Sequence, residues 1–151
     1  KLNVSETILG LGTGAIGLYI ASSLQKSHNR NQKLADYLHA KLDKTWDNFF
    51  NFSNQLDTGI PMLVSDISKN FKALYQDLNS IRKIYSAFSL NESNLDNIET
   101  SLETLESILL NQTRITNNII NYQSIQNVIN TGIDNAAKAY TETVRTINML
   151  N

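Results

Sequence analysis

Apolar residues recur through the middle of the chain at alternating gaps of three and four. One run reads Ala35, Leu38, Leu42, Thr45, Phe49, Phe52 and Leu56. A second reads Ile60, Val64, Ile67, Phe71, Leu74, Leu78, Ile81, Tyr85 and Phe88. This is the heptad spacing of helices that pack on other helices. Gly59-Ile60-Pro61 separates the runs, and Pro61 suits the first turn of a helix, where its missing N–H costs nothing. Helices over about 31–57 and 61–89, joined by so short a link, are expected to lie antiparallel.

A further break is expected at Ser89-Leu90-Asn91. Asn91 or Ser93 can cap the following helix, and Asp96, Glu99, Glu103 and Glu106 fill its early turns, as the helix dipole favours. The seam continues through Leu95, Ile98, Leu102 and Leu105. It then resumes in shifted phase as Ile108, Ile115, Ile119, Tyr122, Ile129, Ile133, Ala136, Tyr140, Ile147 and Leu150. The half-heptad slip is either a discontinuity inside one helix over 93–150 or a turn between two helices, near Asn117-Asn118. No Gly or Pro lies between Met62 and Thr131, which favours one long helix. Its length would be about 87 Å at 1.5 Å per residue, and the protruding part would be covered by another subunit.

The expected fold is therefore all-α: an elongated antiparallel helical bundle or coiled coil over residues 28–151, with a long C-terminal helix. Leu38, Leu42, Phe49, Phe52, Ile67, Phe71, Leu74, Leu78 and Ile81 form the core of its hairpin. No stretch alternates apolar and polar residues over a useful length, so no sheet is expected.

Residues 1–27 differ from the rest. Thr7 to Gln25 carries no charge, and four of the six glycines lie there, at positions 10, 12, 14 and 17. Gly12-Thr-Gly14-Ala-Ile-Gly17 fits the G-x-G-x-x-G of dinucleotide-binding loops. That loop needs a second strand beyond its helix, and none follows. Two other readings remain. As a helix the run is about as long as a bilayer core is thick. Gly10 and Gly14 form a G-x-x-x-G pair for close helix contact, and Lys26, Arg30 and Lys33 flank one side. Equally, an apolar Gly-rich helix can plug into a protein assembly. Ile8, Leu9, Gly10, Gly14, Gly17, Leu18 and Ile20 are the residues of this membrane-anchor or assembly helix. A Gly-rich apolar start before a coiled coil is similar in type to viral fusion peptides and to the membrane-active ends of phage ejection proteins. That likeness implies insertion into lipid; it matches no family residue by residue.

Composition narrows the classes. Charged residues are 18% of the 151, and Asn, with 20 copies, takes much of their place. Ile115 to Ile133 contains no charge; its outer face would be Asn, Gln, Ser and Thr. Such a face can pack on copies of itself without burying charge, and Ile115, Ile119, Tyr122, Ile129 and Ile133 are the residues expected to lead self-association. Accumulated Asn and Ile codons in an AT-rich genome are the rival explanation. A net charge of −1 gives no drive toward nucleic acid. With no Cys there is neither a disulfide nor a thiolate metal site. The first residue is Lys1, as expected of a processed product or a fragment, which leaves localisation unknown, with a membrane or a large assembly favoured. The four N-x-S/T sequons match the number this composition gives by chance, and say nothing of secretion.

The chain is poor in candidate chemistry. His39 shares a helix face with Asp36 and Asp43, a set that solvation explains better than metal binding. Glu99, Glu103 and Glu106 read as a solvated acidic face. No P-loop, G-x-S-x-G or H-E-x-x-H occurs. No catalytic residue, cofactor, metal or small-molecule substrate is expected. Trp46 and Phe50 extend beyond the first seam and form a candidate partner surface. The function expected is a non-enzymatic structural subunit, a homo-oligomer or part of a larger assembly, tethered by its N-terminal helix to a membrane or complex. The alternatives are a membrane-active protein of the fusion, ejection or pore-forming kind, and a lipid- or ligand-binding bundle centred on Trp46 and Phe50.

Overall fold

The seams fold onto one another in a computed structural model that describes residues 30–111 and 115–150. In chain order the elements are α1 (Arg30–Asp57), β1 (Met62–Leu63), α2 (Val64–Ala87), α3 (Ser93–Leu109), β2 (Ile115–Thr116), β3 (Ile119–Ile120), a single 3₁₀ turn (Gln123–Ile125) and α4 (Gln126–Asn148). The fold is all-α. The expected apolar helix, from Ile8 to Ile20, lies outside the described residues.

Each helix packs on two neighbours in a closed round, α1 on α2, α2 on α3, α3 on α4 and α4 on α1. Side-chain contacts set the directions. Tyr75 of α2 meets Glu106 of α3, while Arg82 further along meets Glu99 and Asp96. Asn94 of α3 bonds Thr146 of α4, and Leu105 packs on Gly132. Thr45 of α1 bonds Tyr140 of α4, and Leu56 accepts from Gln126. Every adjacent pair is therefore antiparallel.

All nine expected hairpin-core residues are buried, from Leu38 to Ile81. The buried face of α1 is wider than a heptad seam, because Leu34, Tyr37 and Lys41 join it. A broad face is what a helix shows when two neighbours cover it. The chain completes this burial itself.

Three expectations need correction. There is no single helix over 93–150: α3 stops at Leu109 and α4 starts at Gln126. Asn117 and Asn118 both take left-handed φ, 52° and 61°, the geometry of a two-residue hairpin turn, which Asn tolerates. That turn joins β2 to β3, and β3 also pairs with β1, in the order β1-β3-β2, a small sheet where none was expected, its strands being too short to alternate legibly. Burying Ile120 and Tyr122 in the chain's own core wins over a protruding helix. Second, Pro61 is not in the first turn of α2. The segment is extended through Leu63, and the helix begins at Val64. Its amide donates to the carbonyl of Asn118 at 2.8 Å, so the sheet satisfies one helix-end donor. Third, Ile60 is 64% exposed, although it extends the α2 heptad.

The other ends follow backbone rules. Gly59, with φ 71°, closes α1 by donating to Leu56. α2 ends in a Schellman motif: Leu90 donates to the Tyr85 carbonyl and Ser89 to that of Ser86, with Ser89 at φ 55°. Neither Asn91 nor Ser93 is the N-cap of α3, as had been expected of one of them, but Asn91 still serves its start: its Oδ1 accepts from the Ser93 amide at 2.8 Å. It does so from one residue outside the N-cap, which is Glu92.

Candidate interaction surface

The three short strands lie where the α1–α2 link meets the α3–α4 link. Cross-strand partners point to the same side of a sheet, so the register sorts the side chains into two rows. Met62, Ile120 and Ile115 form one row. Ile120 is fully buried, while Met62 and Ile115 are partly buried and pack against the core. Leu63, Ile119 and Thr116 form the other row and are exposed. The bond from Val64 to Asn118 makes Leu63 and Ile119 a non-hydrogen-bonded pair, the kind whose side chains approach most closely.

Leu63 is 46% exposed and Ile119 41%. Ile60, just before β1, and Val128, in the first turn of α4 and 49% exposed, lie at the same end. Four of the six exposed large apolar side chains among the described residues thus gather at one pole of the helical body; Phe50 and Met149 are the others. No Asp, Glu, Lys, Arg or His occurs from Thr58 to Ser65 or from Ile115 to Ile133. Exposed Thr116, Asn117 and Asn118 border the apolar row. Unlike a scattered surface leucine, exposed apolar side chains gathered at one end make a candidate contact surface.

The residues expected to lead self-association divide. Tyr122 and Ile129 are wholly buried in the chain's own core. Tyr122 donates its hydroxyl to the Gln55 carbonyl at 3.3 Å. Ile115 and Ile133 are partly buried, which leaves Ile119 as the exposed member. Leu63 and Ile60 complete the surface: Leu63 carries no signal in the sequence, and Ile60 reads there as the first position of the α2 seam rather than as an exposed residue.

The second expected surface is smaller. Trp46 is partly buried, with its ring 5.5 Å from that of Tyr140 and 6.4 Å from that of Phe50. Leu42, Asp43, Trp46, Tyr140, Thr141 and Val144 line an open groove of about 200 Å³ between α1 and α4. Phe50 is half exposed and does not line it. Small-molecule sites usually enclose ~300–1,000 Å³, so this groove suits a side chain better than a lipid.

Of the glutamates expected as a solvated face, Glu99 and Glu106 instead join Asp96 in pairing α3 with α2, while Glu103 is exposed. Arg82 bridges Glu92, Asp96 and Glu99 at 3.4, 2.6 and 2.5 Å. Glu106 accepts the Tyr75 hydroxyl at 3.1 Å, and burial together with that carboxylate pushes the phenol well above its usual range. Lys41 is shifted down, by burial and then by Lys44, with Asp77 opposing. Among the described residues no group of three metal-ligating side chains converges, and Asp36, His39 and Asp43 make no such site. Among them, too, no helix is long and apolar enough to cross a membrane. The chain matches no family model, no curated protein and no solved structure.

Proposed function

We propose that this protein is a non-enzymatic assembly subunit. Its helical body presents the Ile60–Leu63–Ile119 surface to another protein, with coiled-coil-type contacts extending the association. The segment from Ile8 to Leu24 tethers it to a membrane or to a larger complex. One observation carries this reading: four exposed apolar side chains share a pole that has no charge in either contributing segment. Leaving them in water forgoes burial worth roughly 25 cal/mol per Å², so a cover for that pole is favourable.

Sedimentation of the full chain over a range of concentrations, with vesicle co-flotation, tests both halves. Self-association in solution and flotation that is lost in an Ile8→Lys, Ile20→Lys variant are expected. A compact monomer that neither associates nor floats would overturn the reading. Release of a trapped dye on vesicle binding would favour the membrane-active alternative, because a passive tether does not permeabilise a bilayer.

A further inference from the structure

We propose that the open groove between α1 and α4 receives the apolar segment that precedes α1 in the same chain, and so withholds that segment until it meets its tethering target. The withholding rests on the tether reading above; the docking does not. Leu42, Trp46, Tyr140 and Val144 give the groove an apolar lining, and Asp43 and Thr141 are its exposed polar members. Phe50, half exposed, lies beside it with its ring 6.4 Å from that of Trp46. A volume of about 200 Å³ has room for aliphatic side chains, not for a lipid. Exposed charges of both signs flank the lining in sequence: Asp47 on α1, and Lys138, Glu142 and Arg145 on α4, the last two paired with each other. Such a rim does not select an occupant by charge. Fit to the apolar lining decides, and from Thr7 to Gln25 the preceding segment is uncharged.

Reach and mass action single out this occupant. Trp46 lies 16 residues beyond Arg30, about 24 Å along the helix at 1.5 Å per residue. Ile8, Leu9 and Leu11 precede Arg30 by 22, 21 and 19 residues. Even at the helical rise these lengths are about 28–33 Å, enough to bring all three back to Trp46. The Leu63–Ile119 row lies past the far end of α1, about 42 Å from Arg30, beyond that reach. Burying one or two aliphatic side chains in a shallow groove gives at best about millimolar affinity. A free partner would have to reach that concentration in solution. A segment joined to α1 is presented at an effective concentration of roughly that order already, so it fills a groove that a separate partner leaves mostly empty.

The chain has no cysteine, so a pair introduced into the full chain reports the contact directly. Thr7→Cys leaves Ile8, Leu9 and Leu11 in place, and Thr141→Cys is an exposed position of the groove. The control pairs Thr7→Cys with Lys72→Cys, exposed on α2, which is not a neighbour of α4. A disulfide needs Cα atoms within ~7 Å. Under a mild oxidant the groove pair is expected to close within one chain about tenfold faster than the control, as a higher effective concentration dictates. Equal rates would overturn the docking, and a disulfide between two chains would give the groove to a second copy instead. Vesicle flotation of the closed and the reduced protein then tests the withholding: only the reduced protein is expected to float. If the closed form floats as well, the withholding falls and the tether reading stands. If neither floats while the groove pair closes at the expected rate, the tether reading falls, the withholding falls with it, and the docking stands.

Discussion

The hydroxyls of Thr45 and Tyr140 meet at 3.2 Å inside the core, tying the middle of α1 to the far half of α4 across 95 positions of sequence. The Tyr140 ring packs between Trp46 and Phe49, at 5.5 and 5.4 Å between centroids. Thr45→Val keeps the shape and strands a buried phenol hydroxyl, at an expected cost of about 1–3 kcal/mol. Tyr140→Phe is milder, about 0.5–1.5 kcal/mol, because Thr45 can turn to the carbonyl four residues back, as Thr143 does to Ala139. The double variant should cost little more than Tyr140→Phe alone. Urea unfolding of all four proteins measures the coupling.

Alkaline pH should unfold the protein in a defined window. Burial pushes the phenols of Tyr37, Tyr85 and Tyr140 up to about 12. In the unfolded chain they ionise near the usual ~10. Above that value the unfolded state has released protons that the folded state still holds, so stability falls as pH rises from 10 toward 12. Tyrosinate absorbance should show a late-titrating class whose ionisation coincides with loss of helical dichroism. Tyr85→Phe should flatten the slope; an unchanged slope would contradict the linkage.

Gly132 sits within α4, where a Cβ would lie 3.1 Å from Cδ1 of Leu105 and 3.8 Å from its Cβ. The glycine lets α3 and α4 approach closely. Gly132→Ala sets a helix-propensity gain of about 0.5–1 kcal/mol against a small shift of the leucine tip, and should be nearly neutral. Gly132→Val has no such room and should cost about 1–3 kcal/mol through overpacking. Thermal melts of the two variants distinguish close contact from mere tolerance of flexibility.

Ser89 holds the left-handed position of the Schellman motif, which glycine usually fills. Ser89→Gly removes a strain of roughly 1 kcal/mol and should raise the melting temperature by a few degrees. A lowered melting temperature would mean that the serine side chain stabilises the turn in a way its backbone angle does not explain.

How much of this was readable from the sequence depended on how local each cause is. The heptads of α1 and α2 specify their own buried faces, so Leu38, Phe49, Phe71 and Leu78 were legible one helix at a time. Gly59 announced the first turn. Asn117-Asn118 marked the third break, but the absence of Gly and Pro gave the continuous helix more weight than it merited. The choice between Ile119 and Ile120 was not legible at all. The two are identical neighbours, and which one faces inward is set by register against Met62 and Leu63, more than fifty positions earlier. A strand of two residues has no period to read. Trp46 and Phe50 stood out as aromatics beyond the seam, yet their difference in burial comes from α4, which brings Tyr140 beside Trp46.

The direction of α1 has a mechanical consequence. Arg30 opens that helix beside Phe88, its guanidinium 5.5 Å from the ring centre, while Asp57 closes it next to the strands. The 28 residues between them span about 42 Å. The chain preceding Arg30 is therefore joined to one end of a rigid strut, and the apolar row rides on the other. In the assembly proposed above, a grip on the first segment would hold that row at arm's length.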